Sequence, residues 1–210
     1  PPPPFSSRRR HTRYSLQSRG LGDVYKRQVH LFAQAVWDVR RILGWVRERG
    51  GDRIGLYGIS MGGYVSSLVA ALESDLDAVI VSIPMVDFAT SAQDNMPWIM
   101  QRYDDDIEID WEAVRAITHV VSPLAMTPKV PKGRRFIFAG IADRVVRPGQ
   151  PRALWRHWGE PEIEWFSGGH VLGMMNPALE PFLRNALAQS GLRHRKRSSA
   201  GKTAKRKQRS

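Results

Sequence analysis

The segment Gly58-Ile59-Ser60-Met61-Gly62, followed by Gly63 and Tyr64, constrains this chain more than any other. A short apolar stretch over residues 53–57 leads into it, and the small residues Gly62, Gly63, Ser66, Ser67 and Ala70 follow within a helical pattern over 61–72. A serine between a strand and a helix sits on a sharp turn, where its hydroxyl can face a base and a substrate at once. A hydroxyl is a weak nucleophile, so nucleophilic chemistry needs that presentation. Gly58 and Gly62, two residues either side of the serine, are expected where side chains would collide with the neighbouring strand and helix.

The rest of the chain supplies the sheet this turn requires. Phe32, Val36, Val39, Leu43 and Val46 recur at steps of four and three, which predicts an amphipathic helix ended by Gly50-Gly51. Residues 78–83 form a β-branched run stopped by Pro84, the pattern of a strand buried on both faces. Strands are further expected over 135–139 and 163–166, with helices over 110–120, 152–158 and 177–188. Strands alternating with helices make an α/β domain with a mostly parallel sheet covered on both faces.

Charge divides along the chain. Of the net +12, residues 1–28 hold +6 and residues 193–210 hold +9, so the body between them is slightly acidic and the basicity belongs to the ends. The tail over 193–210 has too little apolar surface to fold alone. Residues 18–28, SRGLGDVYKRQ, are similar to a translated transposon-type sequencing adapter, and residues 7–13, SRRRHTR, to a translated flow-cell adapter. Residues 1–28 are therefore expected to be an adapter-derived or disordered segment outside the fold, with the folded domain over 29–192 and the protein's own N-terminal portion missing. The chain has no cysteine, which excludes disulfides and thiol chemistry, and no stretch long and apolar enough for a transmembrane helix. A cytoplasmic location is expected, with export left open by the missing N-terminus.

A serine nucleophile needs a base, and the base needs an orienting carboxylate. His170 follows Gly168-Gly169 just past a predicted strand, in a loop at the sheet edge that also carries Ser60; parallel sheets bind ligands at that edge. His30, His119 and His157 fall in helical patterns and read as surface or packing residues. Two carboxylates qualify as the acid: Asp143, beyond the strand over 135–139, and Asp87, beyond the strand over 78–83.

The segments GISMGGY, Gly140 to Val146 and Gly168-Gly169-His170 together resemble the α/β-hydrolase superfamily, closest to its esterase, dienelactone-hydrolase and prolyl-oligopeptidase-like branches. The resemblance spans about residues 29–190 and implies a partial α/β-hydrolase fold whose N-terminal strands are missing, so that the strand over 53–57 would lie at an exposed sheet edge and the chain as written would be an impaired enzyme. It implies ester, thioester or amide cleavage through an acyl-serine, with Ser60 as nucleophile, His170 as base and Asp143 as the favoured acid, Asp87 being the alternative. It further implies the backbone N–H of Met61 as one oxyanion donor, a second donor from a loop ahead of Val29, a small-molecule acyl substrate and no cofactor.

Residues 88–134 occupy the position of a cap over such a site. Within them Met96, Trp98, Ile99 and Met100 suit either an acyl pocket or core packing. The acidic run Asp104, Asp105, Asp106, Glu108 and Asp110 lacks a calcium-loop pattern and reads as solvated surface, so no metal site is expected. Two rival functions share the sequence: acyl transfer to an alcohol by the same three residues, and attachment to nucleic acid or another anionic surface through the basic tail, with no specific nucleic acid expected.

Overall fold

The computed structural model describes residues 6–100 and 109–192, with side chains over 25–95 and 109–192. Four strands, β1 (Gly55–Ile59), β2 (Ala78–Ser82), β3 (Arg135–Gly140) and β4 (Glu162–Phe166), form one parallel sheet in sequential order. Helices α1 (Ser6–Glu48), α2 (Met61–Leu72), α3 (Phe88–Met100), α4 (Trp111–Thr118), α5 (Gly149–His157), α6 (His170–Met174) and α7 (Leu179–Gln189) surround it. All five residues of β2 and all six of β3 are buried, as central parallel strands require. Among the described residues β1 pairs only with β2 and so forms an edge.

Successive strands step across the sheet in one direction, so right-handed crossovers put α2 and α5 on the same face. There Tyr64, Leu68, Leu154 and Trp158 pack with Val79, Val81, Ile137 and Ala139, and Phe32, Val36 and Leu43 of α1 close the layer from outside. Phe32 stacks on Tyr64 with ring centroids 4.3 Å apart. On the opposite face Phe182 and Ala186 of α7 cover Ile80, Phe136 and Phe138, and Phe138 stacks on Phe166 at 4.7 Å.

Several boundaries differ from the sequence expectation. β1 begins at Gly55, two residues late, because Asp77 takes over the preceding pair: its carboxylate accepts from Ile54 N at 2.9 Å and from Arg53 Nε at 3.0 Å. The helix expected over 110–120 stops at Thr118, whose hydroxyl donates back to Val114 O, and tightens into the 3₁₀ turn His119–Val121; Asp110 caps its start by accepting from Ala113 N. α1 crosses the expected boundary at Val29 without a break. No proline lies between Pro4 and Gly50 to stop it, and Tyr25 is buried beside Ala89 and Val114 with its ring 6.4 Å from Phe88. The side chains of Met96, Trp98, Ile99 and Met100, the acids Asp104 to Glu108 and the tail over 193–210 lie outside the described residues.

Ionic contacts fasten α1 to the end of α2. Glu73 accepts from Arg40 Nε at 2.6 Å and from Arg47 Nη2 at 3.0 Å, and Arg47 also reaches Asp75. Burial alone would raise the Glu73 carboxyl, but the hydrogen bonds and charges of Arg40 and Arg47 outweigh it and hold the group below its ordinary value of 4.5. With the folded value below the unfolded one, the stabilisation is complete above that pH and is lost as pH falls through the folded value. Thermal unfolding across about pH 5 to 3 should therefore show a steeper loss of midpoint in the wild type than in Glu73→Gln; parallel curves would assign the acid sensitivity elsewhere.

Candidate active site

The C-terminal ends of β1, β3 and β4 each deliver one polar side chain to the same rim of the sheet. Ser60 joins β1 to α2 with φ 54° and ψ −115°, a left-handed conformation rare for a residue with a side chain. Three backbone hydrogen bonds hold it there: its N–H donates to Ser82 O at 2.9 Å, and its carbonyl accepts from Tyr64 N at 3.1 Å and Met85 N at 3.3 Å.

The glycines around it divide the labour differently from the sequence expectation. A Cβ on Gly58 would lie 2.2 Å from the carbonyl oxygen of Gly62, so no side chain fits. At Gly62, by contrast, a Cβ would meet nothing within 4 Å. The second close approach is at Gly63, where a Cβ would sit 3.0 Å from Pro84 Cβ. The pair needed by the turn is thus Gly58 and Gly63, because the first turn of α2 presents residue 62 outward and residue 63 to the loop after β2.

That loop has its own unusual residue. Ile83, β-branched and buried, has φ 43°; its N–H donates to Phe138 O at 2.6 Å, and its side chain lies against Gly173 of α6. Asp143 follows β3 and is 4% exposed. One of its oxygens accepts from Val145 N and Val146 N, both at 2.9 Å, and the other lies 2.7 Å from His170 Nδ1. His170, expected in a loop, is the first residue of the five-residue helix α6, whose turn closes through Gly173 N to Gly169 O. Its Nε2 lies 2.9 Å from Ser60 Oγ. Because a carboxylate only accepts, the Nδ1 hydrogen points at Asp143 and the Nε2 lone pair faces the hydroxyl. Ile141 N to Phe166 O and Ala142 N to Gly168 O bind the two loops together.

Asp87 is placed elsewhere. Its carboxylate accepts from Thr90 N at 3.0 Å and Thr90 Oγ1 at 2.6 Å, the geometry of a cap on α3. Burial, and then the charge of Asp87, push the Tyr64 phenol above its usual range; Tyr64 Oη donates to Val121 O at 2.8 Å. Met61 is the first residue of α2, so its N–H has no acceptor within the helix. Apolar side chains are exposed around this rim: Met61 after Ser60, Ile141 and Val145 on either side of Asp143, Val171, Leu172 and Met174 on α6, and Met175 just after it. A cleft of about 570 Å³ opens along Ile141 to Arg144, Arg147 and Pro148. The support given by residues 83–87 had no sequence signal beyond Pro84 ending a buried run.

Residues 40–158, more than half of the chain, match the model of the prolyl oligopeptidase family. The chain belongs to the prolyl oligopeptidase family. Two uncharacterized Mycobacterium tuberculosis proteins, from strains CDC 1551 and H37Rv, are each 42% identical to this family member over 178 residues, 84% of this chain and 42% of their own. The chain thus spans about two-fifths of the length of the curated relatives it matches. An esterase of Pyrococcus furiosus superposes with a TM-score of 0.56 at 15% identity, over 73% of this chain and 60% of its own. An acylaminoacyl peptidase of Pyrococcus horikoshii does so with 0.54 at 19%, over 74% and 27%. At these identities the likeness shows the fold, a partial α/β-hydrolase fold.

The glycine geometry sets a testable contrast. Gly58→Ala should destabilise the protein by about 3 kcal/mol or more, since backbone must move to admit the methyl group. Gly62→Ala should be neutral or stabilise by up to about 1 kcal/mol through helix propensity. Denaturant unfolding of both variants checks this, and equal losses would refute the assignment of the close approach.

Proposed function

We propose that this family member is a serine hydrolase that cleaves a carboxylic ester through an acyl-serine intermediate. The observation that carries the reading is the unbroken hydrogen-bonded line from Ser60 Oγ through His170 to Asp143, at 2.9 and 2.7 Å. In this reading His170 Nε2 takes the hydroxyl proton as Ser60 Oγ bonds to the ester carbonyl carbon. Asp143 holds the imidazole tautomer and stabilises the imidazolium. The negative charge on the carbonyl oxygen is met by the Met61 N–H at the start of α2, where the helix dipole also favours an anion. As the carbon–oxygen bond to the alcohol breaks, His170 returns the proton to the departing oxygen. Water, deprotonated by the same nitrogen, then releases the acid and restores Ser60.

The apolar rim around the three residues supports an uncharged ester over an ionic substrate. The names of two structural neighbours, an esterase and an acylaminoacyl peptidase, are compatible with cleavage of an acyl bond. An ester is favoured here because its alkoxide leaves more readily than an amide nitrogen and asks less of the oxyanion site.

A fluorophosphonate probe should label the wild type and not Ser60→Ala; labelling of both, or of neither, would overturn the acyl-serine reading. Asp143→Asn should lower turnover of a p-nitrophenyl ester on the order of 10⁴-fold, because the histidine loses its tautomer control. Asp87→Asn should leave turnover within a few-fold and stability within about 0.5 kcal/mol, because asparagine caps a helix as well as aspartate does. The reverse ranking of these two variants would move the acid to Asp87.

A further inference from the structure

Gln150 lies in the first turn of α5, 6% exposed, with both ends of its amide engaged. Its Oε1 accepts from Val86 N at 3.0 Å and Asp87 N at 3.1 Å, and its Nε2 donates to Ser91 Oγ at 2.7 Å. These partners are distant in sequence and belong to the loop after β2 and the first turn of α3. The near end of the same loop supports the nucleophile: Pro84 abuts Gly63, and Met85 N donates to the carbonyl of Ser60. At its own end, Gln150 is tied by its backbone N–H to Arg147 O, at the close of the loop that carries Asp143.

We propose that Gln150 is a positioning residue for the reaction above: its amide fixes the loop beneath Ser60 against the loop holding Asp143, and so sets the spacing of hydroxyl, imidazole and carboxylate. It touches no reacting atom. The chemistry selects an acceptor of this length, because two converging N–H donors need one oxygen, while Ser91 Oγ, which can accept from an amide or donate to a carboxylate, holds the other end of the group. Leucine would fill the space and leave both buried N–H groups unpaired, which costs enough to shift the loop. Asparagine would stop one carbon short.

The inference rests on the acyl-serine reading. Wild type, Gln150→Leu, Gln150→Asn and Gln150→Glu are compared in the full chain by three measurements, all well below the lowest unfolding midpoint. These are the rate of fluorophosphonate labelling at Ser60, kcat and KM on a p-nitrophenyl ester, and the unfolding midpoint itself. Gln150→Leu and Gln150→Asn should lower labelling rate and kcat together, on the order of ten- to a hundredfold, with KM within about twofold. Gln150→Glu, which keeps the acceptor for both N–H groups and can accept from Ser91, should recover to within a few-fold of wild type. If labelling and kcat are unchanged in Gln150→Leu and Gln150→Asn while only the midpoint falls, Gln150 is structural and the proposal is overturned. Equal losses in Gln150→Glu and Gln150→Leu overturn it as well. Should Gln150→Leu not fold, Gln150→Asn, which keeps an amide, carries the comparison. A wild type that resists the probe overturns the acyl-serine reading, and the positioning role falls with it; a wild type that labels normally makes the outcome bear on Gln150 alone.

Discussion

The hydrogen bond from Ser60 N to Ser82 O is the contact on which the site depends. It extends the β1–β2 ladder one residue beyond β1 and forces the chain to turn into α2 at a left-handed residue. That turn brings the carbonyl of Gly62 so close to Gly58 that no side chain fits between them. Everything else at the rim is referred to this point. The loop after β2 leans on Gly63, β3 fixes that loop through Phe138 O, and β4 brings His170 within 2.9 Å of the hydroxyl. The four described strands can hold such a site because β2, beside the turn, and β3, next to β2, are buried along their whole length.

Much of this was legible in the sequence, for physical reasons that can be named. α2 begins and ends where the small-residue pattern places it, because Gly58-to-Gly63 leaves the chain one way to turn. β2 and β3 are legible as continuous apolar runs, since strands buried on both faces carry no alternation. What escaped the pattern was set by contacts between distant segments. Asp77 displaces the start of β1, and Thr118 ends α4, through side-chain bonds that periodicity does not encode. α6 is a single turn, too short to show a helical repeat.

Among candidate site residues, Ser60, Asp143 and His170 are brought together, whereas Asp87 is turned to Thr90. Chain position alone let both aspartates qualify, and Asp143 was favoured through the family resemblance. Both follow buried strands, and only the cap geometry of α3 shows Asp87 engaged locally. The role of Gly62 was misassigned for a similar reason. Spacing from the serine does not reveal which of two adjacent glycines in a helix faces the loop, and the one that does is Gly63. The buried stripe of α1 was legible from Phe32 onward, but its extension to Tyr25 was not, because the sequence there carries no apolar repeat.

Ile83 has a consequence for how the site comes into being. A buried β-branched residue in the left-handed region is disfavoured by its own local energetics, by about 1–3 kcal/mol. Its conformation must therefore be imposed by tertiary partners, Phe138 on β3 and Gly173 on α6. An intermediate holding β1, α2 and β2 but lacking β3 has nothing to enforce it, and Pro84 and Met85 then have no reason to settle under the serine. The proximity of Ser60, His170 and Asp143 is in that sense a late acquisition of the fold. A partly assembled chain would carry the turn at Ser60 without the partners that face it.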